Sequence, residues 1–282
     1  MVENRPYLTL ISHLVVILGI AIIALPIWIT FVASTHPVEN LLTAPIPMWP
    51  GDRLVENYSL VLGAGIADAG GVPVSVMMMN SLIMALSITI GKIAISLISA
   101  YAIVYFKFPF RMTAFWLIFI TLMLPVEVRI LPTFKVVADL GMLNSYAGLS
   151  IPLIASATAT FLFRQFFLTV PDELLEAARI DGAGPLKFFR DILLPLSRTN
   201  IAALFVILFI FGWNQYLWPL LITTEESFYT VVMGIQRMVT VSESLPQWHL
   251  VMASAMLAML PPILVVVGMQ QLFVRGLVET EK

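Results

Sequence analysis

Charged residues divide this chain into six apolar windows, each near the roughly 20 residues a helix needs to cross about 30 Å of hydrocarbon. They run over about His13–Val32, Ser81–Tyr105, Met112–Pro132, Ala147–Phe166, Ile201–Ile222 and Val251–Leu272. Pro26 gives the first a point to kink, and Lys92 interrupts the second. Pro125, Glu127 and Arg129 fall towards the end of the third, and Pro261 and Pro262 lie inside the sixth. The pattern predicts an all-α, polytopic membrane protein with six transmembrane helices. The apolar run from Tyr7 to Val32 is too long for a cleavable signal, and no small-residue pattern closes it, so it is expected to stay as a span. The segment from there to about Val76 is rich in Pro, Gly and acids (Glu39, Asp52, Glu56, Asp68) and reads as an external loop. A tight basic turn, Lys107–Arg111, follows the second window.

Composition agrees with the windows. Of 282 residues, 60% are hydrophobic and only 11% charged, too few charges to cover the surface of a soluble domain. There is no cysteine, which excludes disulfides, thiolate metal sites and thiol catalysis. His13, His36 and His249 lie far apart, so no metal site is expected. Gly91-Lys92 lacks both the earlier glycine and the following Ser or Thr of a phosphate-binding loop, and it sits inside a window. No catalytic residue and no cofactor is expected, and a process that used ATP and Mg would have to bind them on another subunit.

The distribution of Lys and Arg orients the spans. Arg5, Lys107, Arg111, Arg164, Arg179, Lys187, Arg190, Arg198, Arg275 and Lys282 fall on one side, against Arg53, Arg129, Lys135 and Arg237 on the other. The positive-inside rule then places both termini, and the segment between the fourth and fifth windows, in the cytoplasm. Trp28, Trp213, Trp218 and Trp248 fall near external ends and Trp116 near a cytoplasmic one, as interfacial anchors would. Ser87, Gly91, Ser96, Ser99 and Ala100, and the Ser156–Thr160 run, are small enough for close helix packing.

The densest charge run, Glu176–Pro195, occupies that cytoplasmic segment. Pro171 suits a first helical position, and Asp172 and Glu173 place carboxylates where the helix dipole favours them. Gly182, Gly184 and Pro185 end the helix at about Asp181. A second short helix, Leu186–Leu194, runs into Pro195, making a hairpin over 171–197. Ala177 and Ala178 leave little bulk beside Leu174, Leu175 and Ile180, so a partner is expected to approach that face. The spacing Glu-Ala-Ala, three residues, Gly, nine residues, Ile-Leu-Leu-Pro resembles the signature loop of permease subunits of binding-protein-dependent, ATP-driven (ABC) importers. That resemblance implies a coupling helix seated in a groove of an ATP-hydrolysing subunit. Its coupling positions would be Asp172, Glu173, Glu176, Ala177, Ala178, Asp181, Gly182 and Pro195.

Ionisable groups inside a membrane are costly, so each is a candidate for the solute pathway. Lys92 lies about 22 Å along a helix from Lys107, in the outer half of the bilayer. It either snorkels to the external interface or offers positive charge to an anionic solute. Glu127 and Arg129 meet a partner subunit, face a water-filled entrance, or anchor the interface. Asn214 and Gln215, like Asn80, favour interhelical hydrogen bonds over solute contact. The external segment Thr223–Leu250 carries Glu225, Glu226, Arg237 and Glu243.

Asn80–Leu82, Ala100–Ala102, Phe108–Arg111 and Gly212–Leu220 resemble the carbohydrate-uptake branch of these permeases. Met1–Pro6, Phe119–Arg129 and Ala155–Phe167 resemble, within it, permease subunits of sn-glycerol-3-phosphate importers of Gram-negative bacteria. The resemblance implies the type I importer permease fold in the bacterial inner membrane, with residues 76–273 as the transport domain. Residues 1–75 would add a peripheral first helix and periplasmic loop, and 274–282 a cytoplasmic tail. It also implies a second, different permease, two copies of an ATP-binding subunit and a periplasmic solute-binding protein. The solute would be small and the surroundings lipid, with no role for nucleic acid. Within the class, an importer of a neutral di- or oligosaccharide is the rival, and the Thr223–Leu250 segment would help engage the binding protein. Outside it stand an ion-driven carrier, for which no repeated halves or membrane carboxylates are visible, and a purely structural anchor for an ATPase.

Overall fold

The computed structural model describes residues 6–65, 71–121, 124, 126–240 and 246–279. Arg5, Asp68, Pro125, Glu243 and Lys282 lie outside the described residues, as do the side chains of Glu127 and Arg275. Every regular element described is helical. Contacts divide the chain into two compact units, one from the chain up to Val76 with Gly234–Leu260, the other from Met77–Met233 with the chain beyond Pro261.

In the first unit, α1 (Pro6–Ser34) is a single helix that accommodates Pro26. Its side chains are exposed along most of its length, Ile17 by 65% and Ile23 by 73%. Its foot is different. Thr35 Oγ1 accepts the Gly51 N–H at 2.7 Å, and Asn57 Nδ2 donates to the carbonyls of Ser34 (2.8 Å) and His36 (3.1 Å). Gly51 is required there, since a Cβ would lie 2.7 Å from the Thr35 carbonyl oxygen. The segment expected to be an external loop is therefore built, with α2 (Val38–Leu41) and α3 (Leu54–Gly63) held to the foot of α1.

In the chain's second unit the central helix is α4, which runs uninterrupted over Val74–Tyr105. The third window is two helices in series, α5 (Arg111–Ile120) and α6 (Val126–Asp139). The fourth is α7 (Tyr146–Ser150), a 3-10 turn (Ile151–Leu153) and α8 (Ala157–Phe167), bent by 47°. Both N-caps are serines: Ser145 and Ser156 accept the N–H groups of Gly148 and Ala159. The sequence predicts continuous spans at these two places; capping chemistry inside the apolar window interrupts the second of them.

Beyond the hairpin of α9 (Asp172–Ile180), α10 (Pro185–Phe188) and α11 (Leu194–Leu196), the fifth window is α12 (Arg198–Trp213) and α13 (Leu217–Ile222). The chain continues through a 3-10 turn (Glu226–Phe228) to α14 (Val231–Thr240) and α15 (Trp248–Glu279), which carries Pro261 and Pro262 internally. Among the described residues, three helices are long and apolar enough to cross a membrane alone, within Tyr7–Ser34, Val74–Tyr105 and Trp248–Gln270. The other windows are assembled from pieces.

Small residues set the helix contacts as the sequence suggests. A Cβ on Gly212 of α12 would lie 2.9 Å from Ala85 Cα, and one on Gly91 would strike Ile154. Ser96 Oγ donates to the Ser156 carbonyl and accepts from Thr160 Oγ1. The tryptophans correct another expectation: Trp213 and Trp218 are 2% and 4% exposed. Trp218 Nε1 donates to the Gly148 carbonyl at 3.1 Å within a core of Met84, Ile88, Leu149 and Ile222. An indole near a span end resembles an interfacial anchor in sequence, but a broken helix turns this one inward.

Candidate functional site

The hairpin begins at α9, whose Asp172 and Glu173 occupy the first turn and Arg179 the last, each at the dipole-favoured end. The helix ends in a Schellman motif: Gly182 N–H bonds to the Arg179 carbonyl (3.1 Å) and Ala183 N–H to the Ala178 carbonyl (2.8 Å). Gly182 has φ +73°, the left-handed conformation that costs a side-chain-bearing residue about 1–2 kcal/mol. Glycine thus reverses the chain as the spacing predicts, with Asp181 as C-cap.

The second limb is longer than expected. It runs from Pro185 to Leu196 and contains a π-helical turn, Phe189–Leu193, in which the Leu194 N–H reaches the Phe189 carbonyl. Pro195, half-buried, follows where the register has already shifted, so its missing N–H breaks no regular ladder. Ser197, fully buried, donates its hydroxyl to the Leu193 carbonyl at 2.6 Å, and the limb meets α12 at a 70° bend.

One predicted face is corrected. Successive helical positions point about 100° apart, and Ala177 and Ala178 part company accordingly. Ala178 is 4% exposed, in one cluster with Ile93, Leu97, Phe163, Phe167, Phe188 and Leu204, while Ala177 faces out. The outward surface carries Asp172, Glu173, Glu176 and Ala177, and at the tip Ile180 (86% exposed), Asp181, Gly182 and Leu186 (78%). None of Asp172, Glu173, Glu176 and Asp181 forms an ion pair among the described residues.

Two residues that the motif reasoning missed hold the hairpin in place. Tyr101 Oη donates to the Pro185 carbonyl at 2.8 Å, and its ring lies 4.9 Å from that of Phe189. Tyr105, one turn further along α4, donates to the Phe167 carbonyl at 3.3 Å and packs 5.4 Å from Phe188. Their i, i+4 spacing at the C-terminal end of α4 is the signal that marks them. Between this end of α4 and α9 lies a cavity of about 440 Å³, lined by Tyr101, Tyr105, Lys107, Leu175, Arg179 and Phe188.

The pathway candidates separate. Lys92 is 8% exposed, with its Nζ 4.0 Å from the centroid of Phe211 on α12. Arg129, on α6, is exposed, and Glu127 is on the same helix. Asn214 is exposed in the break between α12 and α13, and Gln215 Nε2 bonds within its own turn to the Phe211 carbonyl at 3.1 Å. Asn80 is structural: Nδ2 donates to the carbonyls of Ser227 and Tyr229, and Oδ1 accepts from Tyr146 Oη. Likewise Asn144 Oδ1 accepts from the N–H groups of Thr224 and Glu225, pinning the start of the Thr223–Leu250 segment to the turn before α7.

Comparison with solved structures finds the same architecture in a bacterial ABC transporter involved in the import of the acidic polysaccharide alginate. The TM-score is 0.80 at 19% identity, covering 96% of this chain and 98% of that one. Full-length relatives are named sn-glycerol-3-phosphate transport system permease protein UgpE. They are 59% identical in Agrobacterium fabrum, 60% in Brucella melitensis and 58% in Salmonella typhi, with 100% of each chain covered. The family model of the binding-protein-dependent transport system inner membrane component matches residues 92–279, from the middle of α4 through the hairpin to the end of α15. The chain therefore belongs to that family, as a non-catalytic inner-membrane permease of an ABC importer that operates with ATPase, permease and solute-binding partners.

Proposed function

We propose that this chain is one of two different permeases of an importer that moves sn-glycerol-3-phosphate, or a glycerophosphodiester, inward by alternating access. The observation that carries the solute is the identity of 58–60% over the entire chain to relatives named for sn-glycerol-3-phosphate transport. Two copies of an ATP-binding subunit drive it, one of them through the α9–α11 hairpin. The exposed acids Asp172, Glu173 and Glu176 meet basic groups of that subunit, and the apolar tip of Ile180 and Leu186 enters its groove. Closure of the ATPase pair pushes α9. The push passes into α4 through Tyr101 and Tyr105 and into α12 through the π-helical limb and Pro195.

The solute pathway then turns from opening to the cytoplasm to opening towards the loaded periplasmic binding protein, which the Thr223–Leu250 segment helps to engage. Residues 76–273 form the transport domain, and residues 1–75 add the first helix and the loop that follows it. Arg129, Glu127, Asn214 and Gln215 border the route, Asn214 at the helix break that frees backbone groups beside it.

The test is uptake by the complete complex in proteoliposomes with ATP inside. Excess unlabelled sn-glycerol-3-phosphate should abolish uptake of the labelled compound, and a panel of neutral di- and oligosaccharides should leave it unchanged. Competition by a sugar, with none by glycerol-3-phosphate, would replace the proposed solute by a carbohydrate.

A further inference from the structure

Lys92 occupies the interior of α4, about 27 Å from the Val74 end and about 20 Å from the Tyr105 end at 1.5 Å per residue. It therefore lies near the middle of the helix rather than towards its outer end, and a four-carbon stem reaches neither interface from there. The side chain does not snorkel. It is 8% exposed, and its ammonium rests 4.0 Å from the centroid of Phe211.

That ring face attracts a cation but brings no negative charge. No hydrogen bond or carboxylate pairs with Lys92 among the described residues, where the ion pairs are all elsewhere. An ammonium buried this far with only a ring face against it is a costly arrangement in a membrane protein, and a bound anion completes it. Room exists on the far side: Phe211 itself is 41% exposed, and Asn214, one turn along the same strip of α12, is exposed at the helix break.

We infer that Lys92, parked on the Phe211 ring, is the subsite that receives the phosphate of the solute as it passes through the permease. The inference rests on the proposed solute class and adds to it the group that reads the anion. The ring holds the ammonium in place while the pathway is empty. An arriving phosphomonoester draws it off the ring into a charge-assisted hydrogen bond, with Asn214 placed to bond the glycerol hydroxyls.

The experiment uses the complete complex in proteoliposomes and compares sn-glycerol-3-phosphate, a dianion, with a glycerophosphodiester, a monoanion. K92Q should lower uptake of the phosphomonoester at least about tenfold and that of the phosphodiester much less, because a charge contact inside a dry site is removed. K92R should restore most of the uptake. Detergent-extracted K92Q complex should retain all its subunits, and F211L should lower phosphomonoester uptake without loss of assembly.

Uptake of both solutes unchanged in K92Q overturns the inference, as does an equal fall for both accompanied by loss of subunits, which marks a packing role. Recovery of uptake in a K92Q/E127Q double variant also overturns it, since the charge would then serve Glu127. Wild-type complex that moves a neutral sugar and no glycerol-3-phosphate overturns the solute reading itself. Wild-type uptake that K92Q leaves intact overturns this inference alone.

Discussion

The hydroxyl of Tyr101, on the long central helix, donates to the carbonyl of Pro185, at the turn of the α9–α11 hairpin, across 2.8 Å. One turn away Tyr105 packs on Phe188, which is 2% exposed, so the base of the hairpin is joined to α4 by rings as well as by a hydrogen bond. In the proposed mechanism this joint is where a displacement of the hairpin reaches α4.

Tyr101→Phe removes the hydrogen bond and keeps the ring contacts with Tyr105, Phe106 and Phe189. The expected cost is about 0.5–1.5 kcal/mol in the stability of the joint. Uptake per ATP hydrolysed should fall modestly. Tyr101→Ala also empties the space beside Phe189 and should lower that ratio severely while the subunit remains in the membrane. Parallel measurement of uptake and ATP hydrolysis checks this. An unchanged ratio in Tyr101→Ala would mean that force enters the spans elsewhere.

Gly182 gives a sharper handle on the hairpin. A Cβ there would meet nothing within 4 Å, so a substitution acts through the backbone, at φ +73°, and through charge. Gly182→Asn, a residue that tolerates the left-handed region, should retain most uptake. Gly182→Asp adds a carboxylate at the negative end of α9, for a further penalty of about 0.3–1 kcal/mol, and alters the surface at the tip. We expect it to uncouple uptake with normal membrane abundance on immunoblots. Transport and ATPase stimulation persisting in Gly182→Asp would remove the coupling role from this turn.

How legible the molecule was in its sequence depends on the scale of the feature. The hairpin's start, its glycine reversal and its apolar tip follow from local chemistry: a proline and acids at the first turn, Gly182 at the last. The long windows of α1, α4 and α15 were legible because each apolar run is long enough to continue as one helix past its internal Pro26, Lys92 or Pro261 and Pro262. The bent windows were not. Ser156 reads as a small packing residue, yet it caps α8, and Trp218 reads as an interfacial anchor, yet it is buried by the break at 214–216. Ala178 shows the same limit at one residue. Composition placed it with Ala177, and only the helical turn separates the two. Lys92 was visible as an oddity; that its nearest partner is the face of Phe211, on a helix more than a hundred residues away, is a tertiary fact.

Charge reversal separates binding of the ATPase from folding of the permease. Asp172, Glu173 and Glu176 are exposed, and reversing an exposed charge shifts stability by only about 0.5 kcal/mol or less. Glu173→Lys with Glu176→Lys should leave the subunit folded and weaken its hold on the ATPase several-fold, most strongly at low salt, because added ions screen the contact. Titrating the ATPase subunit onto nanodisc-embedded permeases at two ionic strengths measures this. Equal affinity of variant and parent at low salt would show that the acids do not face the ATPase.

Asn80 provides a test of the fold itself. It is 1% exposed, and its amide joins α4 to the carbonyls of Ser227 and Tyr229 while accepting from Tyr146. Asn80→Leu strands two carbonyls and a hydroxyl, at about 1–3 kcal/mol for each group that water does not reach. Asn80→Asp keeps the acceptor for Tyr146 but turns two donated bonds into repulsions between oxygens. Both variants should lower the Tm of the detergent-solubilised complex, and both should loosen the start of the Thr223–Leu250 segment. Because that segment is proposed to engage the binding protein, the same variants should weaken stimulation of ATP hydrolysis by the loaded binding protein. The intrinsic hydrolysis, which resides in another subunit, should remain. A lowered Tm with full stimulation would confine Asn80 to the fold and remove the segment it anchors from the docking surface.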